Sequence, residues 1–400
     1  MLDREAGRLV VTRALRGFGD GFASVILVAH LDRLGFSALE IGAIVTATLL
    51  GSAALTLAVG LVADRLPQRS VLLASSALML ATGLGFALAT GFWPILLVAF
   101  VGTLNPSSGD VSLFLPTEQA LLARATAPDG RVALFARYNL AGALLGAAGA
   151  MATSVPDRIA ATGALAASTA LRAAFVAYGL LGVLCALLYL GLRRGRAPLG
   201  TDPTRRPLER SRGVVLRLAA LFSLDSFGSG FAVQSMLVLW LARRFGLAPA
   251  QVGPIFAAMG ILAAFSQLAA APVARRIGMV RTMVYTHIPA NLFLAATAFA
   301  PTAPIAVACQ LARMATSSMD VPARQALVMG VVPVEEQAAA ASVTNVPRSL
   351  ATALAPLVAG ALMQHAWLGW PLLVGGVLKL VYDLLLLAMF RRVAVEGDRA

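Results

Sequence analysis

Long apolar segments recur from one end of this chain to the other, and they restrict its fold more than any other feature. Each is about as long as the roughly 20 mostly apolar residues that an α-helix needs to cross a bilayer. Only 13% of the 400 residues are charged, against about 25% in a typical soluble domain. Because so little charge cannot cover a water-facing surface of this size, the chain is predicted to be an all-α integral membrane protein.

Twelve transmembrane helices are predicted from hydropathy and from the residues that interrupt the apolar runs. The first six spans cover residues 11–33, 39–63, 70–90, 93–117, 131–153 and 170–192. The second six cover residues 214–241, 249–273, 281–300, 303–327, 338–363 and 369–390. An Arg-rich, Pro-containing segment at 193–213 predicts a cytoplasmic linker between an N-terminal bundle, 1–192, and a C-terminal bundle with a short tail, 214–400.

The two halves of the chain repeat each other. The motif RGFGDGF at 16–22 returns as DSFGSGF at 225–231, and SSGDV at 107–111 returns as SSMDV at 317–321. Two copies with the same orientation, joined by a linker, indicate a parallel repeat about an axis along the membrane normal. The repeat therefore predicts two pseudo-symmetric six-helix bundles.

Basic residues predict the orientation of the chain in the membrane. With both termini in the cytoplasm, only five basic residues fall outside, as expected for loops that set topology: Arg33, Arg158, Arg172, Arg243 and Arg244. The same explanation accounts for the net charge of +13, so no nucleic-acid partner is expected. Arginine and alanine are abundant and lysine is nearly absent, which favours a bacterial inner membrane.

The segment GLVADRLPQR, residues 60–69, resembles the signature loop that joins the second and third spans in the major facilitator superfamily. Gly60, Asp64, Arg65 and Arg69 occupy the positions of that signature, and Pro67 stands where the family usually has glycine.

This resemblance implies an alternating-access carrier in which the first, fourth, seventh and tenth spans line a central cavity between the bundles. It also implies that Asp64 and its loop govern the conformational switch, with capping of a helix end as the alternative role. We expect Arg65, Arg69 and Arg275 to belong to the same cytoplasmic gate, since the segment around Arg275 is a degenerate copy of the loop.

One carboxylate occurs in each of the four spans that the resemblance assigns to the cavity: Asp20, Asp110, Asp225 and Asp320. Ionisable groups at bilayer depth are costly and usually face a partner or a wet cavity. These four residues are therefore the candidates for proton coupling, because loss of hydration favours the protonated form of a carboxyl group. Asp20 and Asp225 are the leading pair, and a purely structural ion pair is the alternative for each.

Arginines accompany these acids within the spans. We expect Arg16, Arg137, Arg313 and Arg348 to line the cavity or bind the solute. Arg137 and Arg348 are placed to neutralise the acid of the preceding span. The repeat partner of Arg313 is a neutral threonine, so Arg313 is a candidate for an anionic group on the solute, or else a further partner for Asp320.

Charges of opposite sign occupy equivalent positions in the two halves, including Glu118 against Arg324. Groups close to the symmetry axis can meet across the halves, so the sequence predicts a latch between these two residues. The alternative is that each of them pairs within its own half.

Other polar residues are interpreted more simply. Lys379 and Asp383 are spaced as a same-face pair in the last span and are expected to be structural. His287 lies four residues after Met283 in a peripheral span, and no metal-ligand cluster or cofactor is expected. Because no nucleophile–base motif or nucleotide fingerprint occurs in the sequence, we do not expect an enzyme.

The function predicted from these features is proton-coupled secondary transport of a small organic solute by a monomer in the lipid bilayer. The Gly-rich stretch GALLGAAGA at 142–150 is similar to the antiporter motif of drug exporters and favours efflux. The alternatives are a proton-coupled symporter that takes up an organic anion and a non-transporting membrane sensor with the same fold.

Overall fold

A computed structural model describes residues 4–62, 66–106, 112–125, 128–193 and 208–390 of the chain. Sixteen α-helices and one short 3-10 turn, Val334–Glu336, lie in these ranges, and no strand occurs there. The first eight helices are α1 (Arg4–Arg33), α2 (Ala38–Val62), α3 (Gln68–Leu88), α4 (Phe92–Val101), α5 (Leu115–Arg124), α6 (Pro128–Met151), α7 (Ser154–Ala161) and α8 (Ala167–Leu190). The others are α9 (Arg212–Gly230), α10 (Gln234–Phe245), α11 (Pro249–Ile277), α12 (Met279–Ala298), α13 (Ala303–Ser317), α14 (Asp320–Gly330), α15 (Gln337–His365) and α16 (Trp370–Phe390).

Every predicted span corresponds to helical structure, and the all-α membrane fold class is confirmed. Nine spans are single helices, whereas the fourth, seventh and tenth are each divided in two, as α4–α5, α9–α10 and α13–α14. Short runs rich in Gly, Ser and Pro lie at these breaks, and such residues weaken a helix interior. The short helix α7 was not expected from the sequence.

Eight helical segments in the described ranges are long and apolar enough to cross a membrane, and α4 is a shorter apolar helix. The long segments are 4–33, 38–59, 68–88, 167–190, 212–245, 249–277, 339–365 and 370–390. The protein therefore passes through the membrane several times.

The chain divides into two compact units. Unit 1 contains residues 1–199 and 233–260, and unit 2 contains residues 200–232 and 261–400. Helix α10 and the start of α11 thus belong to unit 1, although they follow the predicted linker in the chain. Residues 194–207 of that linker lie outside the described ranges, and the bundle boundaries at 192 and 214 stay a prediction.

Glycines allow α1 and α6 of unit 1 to pack at very short range. A Cβ atom added to Gly21 would lie 2.0 Å from the carbonyl oxygen of Gly146, and one added to Gly17 would lie 2.3 Å from that of Gly142. Small residues at a spacing of four let membrane helices approach until their backbones touch. The Gly-rich stretch at 142–150 therefore has a packing role in this fold.

In unit 2, α9 packs against α15 and α16, and α12 packs against α13, α14 and α16. The apolar core of this unit includes Phe222, Leu327, Tyr382 and Leu386, all nearly inaccessible to solvent. The polar residues described below lie among these helices.

A carboxylate from the loop before α15 caps α9 of unit 2. Glu336 accepts hydrogen bonds from the backbone N–H groups of Arg210 (2.9 Å), Ser211 (3.1 Å) and Glu209 (3.2 Å). Negative charge is favourable at a helix N-terminus, where the N–H groups have no partner within the helix. These hydrogen bonds, that of Arg210 foremost, lower the pKa of Glu336.

Gly21→Ala should destabilise the protein, because the new methyl group would overlap the α6 backbone. Overpacking of this kind costs about 1–3 kcal/mol, and backbone atoms cannot move aside as a flexible side chain would. Gly7→Ala is the matched control on the same helix, since nothing lies within 4 Å of an added Cβ there. Thermal unfolding of the purified protein should show a loss for Gly21→Ala alone, and equal midpoints would contradict the packing role.

Candidate functional site

The carboxylate of Glu118 is the centre of a buried polar cluster in unit 1. Arg16 forms an ion pair with it, and the side chains are 2% and 0% exposed. Thr12 donates a hydrogen bond to Glu118 at 2.8 Å, and the hydroxyl groups of Tyr138 and Tyr189 donate two more. Four donors on α1, α6 and α8 therefore hold one acid on α5.

The guanidinium of Arg16 makes further contacts in this cluster through its two Nη atoms. It lies over the ring of Phe114, 4.4 Å from the centroid, and Nη1 donates to Ser112 at 3.1 Å. A buried ion pair is favourable only when further hydrogen bonds support it, and here Ser112 and the two tyrosines supply them, whereas Nε of Arg16 makes none with the described residues. Arg16, predicted as a cavity or solute-binding residue, thus binds Glu118.

Asp20 lies one helical turn beyond Arg16 on α1 and is half-buried. Its carboxylate makes neither a hydrogen bond nor an ion pair with any residue in the described part of the chain. The charges nearest to it are those of Arg16 and of Arg13, which packs over the ring of Tyr138. Asp20 therefore differs from the paired acid Glu118 in the same unit.

Asp225 on α9 is the centre of the corresponding cluster in unit 2. The ammonium group of Lys379 on α16 donates to its Oδ1 at 2.6 Å and to Ser229 at 2.7 Å. Arg324 on α14 lies 3.4 Å from Asp225 Oδ2 and 3.4 Å from Asp320 Oδ2. Asp320 and Arg324, four residues apart on one helix, therefore form an ion pair, and Asp225 is an ion-paired acid.

A histidine and an amide extend this cluster to the last helix. Nδ1 of His287 on α12 lies 2.9 Å from Oδ1 of Asp383, and Asn291 donates to Oδ2 of the same acid at 2.8 Å. Lys379 and Asp383, which were expected to be structural, each bind a residue on another helix, Lys379 binding Asp225 and Asp383 binding His287.

The latch expected between Glu118 and Arg324 is replaced by pairing within the units. Glu118 binds Arg16 in unit 1, and Arg324 binds Asp225 and Asp320 in unit 2. Each charge is thus neutralised by its own unit, which is the alternative that the sequence left open.

Arg313 on α13 has an amide partner. Its Nη1 donates to Oε1 of Gln310 at 2.9 Å, and Nε2 of Gln310 donates to Thr297 at 2.9 Å. The Nε atom of Arg313 is buried and makes no hydrogen bond with the described residues. Its observed partner is therefore Gln310. Asp320, the alternative partner that the sequence suggested, is bound by Arg324 instead.

The other candidate residues are dispersed. Arg69 donates to the carbonyl oxygen of Leu192 at 3.4 Å, Arg137 and Arg275 are exposed, and Arg348 is half-buried with contacts of its own. Three further candidates, Asp64, Arg65 and Asp110, lie outside the described residues.

The two clusters are completed by residues that were not among the predicted site residues: Tyr138, Tyr189, His287 and Asn291. His287 and Asn291 are four apart, as are Lys379 and Asp383, so polar pairs at helical spacing in apolar spans were a usable signal. The tyrosines at 138 and 189 carried no such signal, because a tyrosine in a membrane span is usually read as an apolar residue with a polar tip.

Helix α10 is bound to the first helix within unit 1. Arg243 forms an ion pair with Asp32 at 2.7 Å. Oγ of Ser235 lies 3.0 Å from the carbonyl oxygen of Ser24 and 2.9 Å from that of Pro106. These contacts join a segment of the predicted second half to helices of the first.

Comparisons with known proteins agree with this architecture. The sequence profile of the Major Facilitator Superfamily matches residues 9–309 and 218–399. A relative in Saccharomyces cerevisiae, the uncharacterized membrane protein YJR124C, is 25% identical over 410 residues, which cover 94% of this chain and 92% of that protein.

In structure, the chain is similar to the inward-open xylose transporter XylE from E. coli, with a TM-score of 0.78 at 13% identity over 99% of this chain and 98% of XylE. It is also similar to a mutant of the nucleoside transporter NupG, with a TM-score of 0.78 at 14% identity over 96% of this chain and 100% of NupG.

Substitutions at Arg16 and Glu118 should test the cluster of unit 1. Glu118→Leu alone leaves a buried arginine without its counter-ion, which typically costs about 3–5 kcal/mol. Arg16→Met combined with Glu118→Leu removes both charges and should be less harmful than Glu118→Leu alone. Unfolding midpoints of the purified variants measure this. A double variant no more stable than Glu118→Leu would show that the ion pair does not determine the stability of this site.

Proposed function

Since the chain belongs to the major facilitator superfamily, we propose that it is an alternating-access secondary transporter that couples a small organic solute to protons. The family and the fold are those of membrane transporters. To this the proposal adds the coupling ion, the direction of transport and the class of solute.

The observation that carries proton coupling is the unpaired carboxylate of Asp20. Glu118 and Asp225 have cationic partners, whereas Asp20 has neither an ion pair nor a hydrogen bond within the described residues. A carboxylate without a partner at bilayer depth is costly, and binding a proton removes that cost. Asp20 is therefore expected to gain more from taking up a proton than Glu118 or Asp225.

The ion pairs of the clusters stabilise each unit as the transporter changes state. Glu118 and Arg324 hold helices within their own units, so the proposed switch moves units that keep their internal charge balance. The signature loop with Asp64, Arg65 and Arg69, and its second copy with Arg275, is the proposed cytoplasmic control of that movement.

Export in exchange for protons is the proposed direction, as the Gly-rich stretch of the fifth span suggests. That stretch also packs α6 against α1, so direction needs a functional measurement. Uptake of an organic anion is the second candidate, and Arg313 favours it. Among the described residues this guanidinium donates a hydrogen bond to an amide and its Nε is unpaired, so it can offer a charge-assisted hydrogen bond to a carboxylate or phosphate group.

The proposed setting is a bacterial inner membrane with both termini in the cytoplasm, and the proposed active form is the monomer. The distribution of arginines between the predicted loops supports the orientation.

Asp20→Asn should abolish proton-driven accumulation of the solute and preserve exchange of solute for solute. Asparagine has the shape of the protonated acid but cannot release a proton. The solute is first identified by thermal stabilisation in a library screen, because a bound ligand stabilises the folded state. Flux is then measured in proteoliposomes with and without an imposed pH gradient.

Asp157→Asn, in the solvent-exposed pair with Arg33, is the control and should retain gradient-driven flux. Unchanged gradient-driven flux in Asp20→Asn would refute the assignment.

Arg313→Gln should weaken binding of anionic ligands by about tenfold or more, because a hydrogen bond to a charged group contributes about 1.5–3 kcal/mol. Ligand-induced thermal stabilisation measures this, with Arg281→Gln at an exposed position as the control. Equal stabilisation of both variants by anions would show that Arg313 does not bind the anionic group and would remove the support for the second candidate. Accumulation in inverted but not in right-side-out vesicles would establish export, and absence of any flux would favour a sensor.

A further inference from the structure

Helix α7 is a short, separate helix between α6 and α8 of unit 1. Pro156 lies in its first turn, where proline is tolerated because the N–H groups there lack helical partners. The helix is followed by Gly163, whose φ of +75° is a left-handed conformation that favours glycine. The N–H group of Gly163 donates to the carbonyl oxygen of Ala160 at 3.0 Å, as at other helix ends of this kind. The helix α7 thus has its own start and end and does not continue α6.

One side of α7 is apolar and is left uncovered by the described residues. Val155 and Ile159, one helical turn apart, are 48% and 38% exposed. Met151, at the end of α6, precedes them at the same spacing and is also exposed. The side that packs on the protein carries Pro156, which is buried, and α8 is the helix it contacts. A helix on a water-facing surface would place these residue types the other way round.

Contacts with the ends of two long helices place α7 at the surface of the membrane. Arg33, the last residue of α1, lies 3.5 Å from Oδ1 of Asp157 and donates to the carbonyl oxygen of Ala167, the first residue of α8, at 3.3 Å. Both α1 and α8 are long and apolar enough to cross a membrane. Because α7 lies where these helices end, its exposed side chains are close to the boundary between lipid and water.

An aromatic cluster marks the same boundary at this end of unit 1. Phe36, which follows α1, packs edge-on against Phe92 with the ring centroids 6.2 Å apart. Phe92 packs in turn against Trp93, which is 75% exposed. Tryptophan is enriched where the membrane meets water, because its ring is apolar and its N–H group needs a polar partner.

We propose that α7 is an interfacial helix that docks on phospholipid, with Val155 and Ile159 in contact with the acyl chains and Arg158 bound to a phosphate group. With 3.6 residues per turn, Arg158 lies between this apolar pair and Ala161 around the helix. Its guanidinium can therefore reach the headgroups while Ala161 faces water. Arg158 is exposed and makes neither an ion pair nor a side-chain hydrogen bond with the described residues, and a phosphate group supplies the complementary charge.

Phospholipid fits this surface better than a second copy of the chain. A stable interface between proteins takes about 20–30 residues from each partner, whereas α7 offers one short apolar side. Arg158 and Arg172, both exposed, would also face the same charges on a second copy. A lipid surface needs no such area, because the apolar side of α7 is continuous with exposed Leu140 and Leu144 of α6. Basic residues beside an apolar face are typical of helices that lie in the membrane interface.

Spin labels on single cysteines can measure which solvent surrounds α7. The background is the full-length Cys309→Ser variant, in which the remaining Cys185 is buried and protected from labelling. The labelled protein is placed in vesicles of phosphatidylcholine and phosphatidylglycerol. Labels at Val155→Cys and Ile159→Cys should be more accessible to oxygen, which partitions into lipid, than to a water-soluble nickel complex.

Three further positions calibrate the measurement. Leu184→Cys, at an exposed position in the middle of α8, is the reference for lipid, and Arg193→Cys, where the side chain is almost fully exposed beyond α8, is the reference for water. Ala161→Cys is the matched control on α7 itself and should resemble the water reference, since it lies on the other side of the helix from Ile159.

Two results would overturn the proposal. If the labels at Val155→Cys and Ile159→Cys match the water reference, α7 lies in water. If they are inaccessible to both reagents and their spectra are broadened by spin–spin coupling, a second copy of the chain covers α7. Neither result depends on the solute, the coupling ion or the direction of transport, so the proposal can fail while the proposed function holds.

The phosphate contact has a test of its own. Adding Arg158→Glu to Ile159→Cys should move the ratio of oxygen to nickel accessibility towards the water reference, because phosphate groups repel a carboxylate. An unchanged ratio would refute the contact between Arg158 and phosphate.

Discussion

The cost of leaving a charge unpaired inside a membrane is the constraint on which the rest of this structure depends. Water cannot solvate such a charge, so each buried ion needs a counter-ion and hydrogen-bond partners from neighbouring helices. Glu118 meets this requirement with four donors in unit 1, and Asp225 meets it with Lys379 and Arg324 in unit 2. Because the partners lie on different helices, neutralising each charge also fixes how those helices pack.

The two units satisfy the same constraint in different ways. In unit 1 a single acid is held by one arginine and three hydroxyl groups, and glycines bring α1 and α6 into backbone contact beside it. In unit 2 three acids share two permanent cations, a histidine and an amide. The repeat visible in the sequence preserves one ion pair and inverts its charges, since Arg16–Glu118 in unit 1 corresponds to Asp225–Arg324 in unit 2. The groups added around that pair differ between the units, and Asp20 in unit 1 is the proposed proton site.

The proposed alternating-access mechanism requires units that keep their internal charge balance, and the ion pairs of Glu118 and Arg324 each lie within a single unit. A transporter that used its buried ion pairs as the only link between halves would expose unpaired charges each time it opened. Here Glu118 and Arg324 keep their partners within their own units. The groups proposed to bind a proton or solute have weaker attachments: Asp20 has no ion pair among the described residues, and Arg313 is hydrogen-bonded to an amide.

The sequence by itself determined the fold class, because hydrophobic length and charge depletion restrict a chain of this kind to membrane-spanning helices. It placed all twelve spans, the repeat and the acids of the spans, since each of these is a local pattern. It could not determine which acid pairs with which base. Lys379 appeared to belong with Asp383, four residues away, but binds Asp225 on another helix. Glu118 appeared to match Arg324 through the repeat, but binds Arg16. Pairing depends on the rotation and approach of neighbouring helices, which glycine contacts and helix breaks set, and these are properties of the packed structure alone.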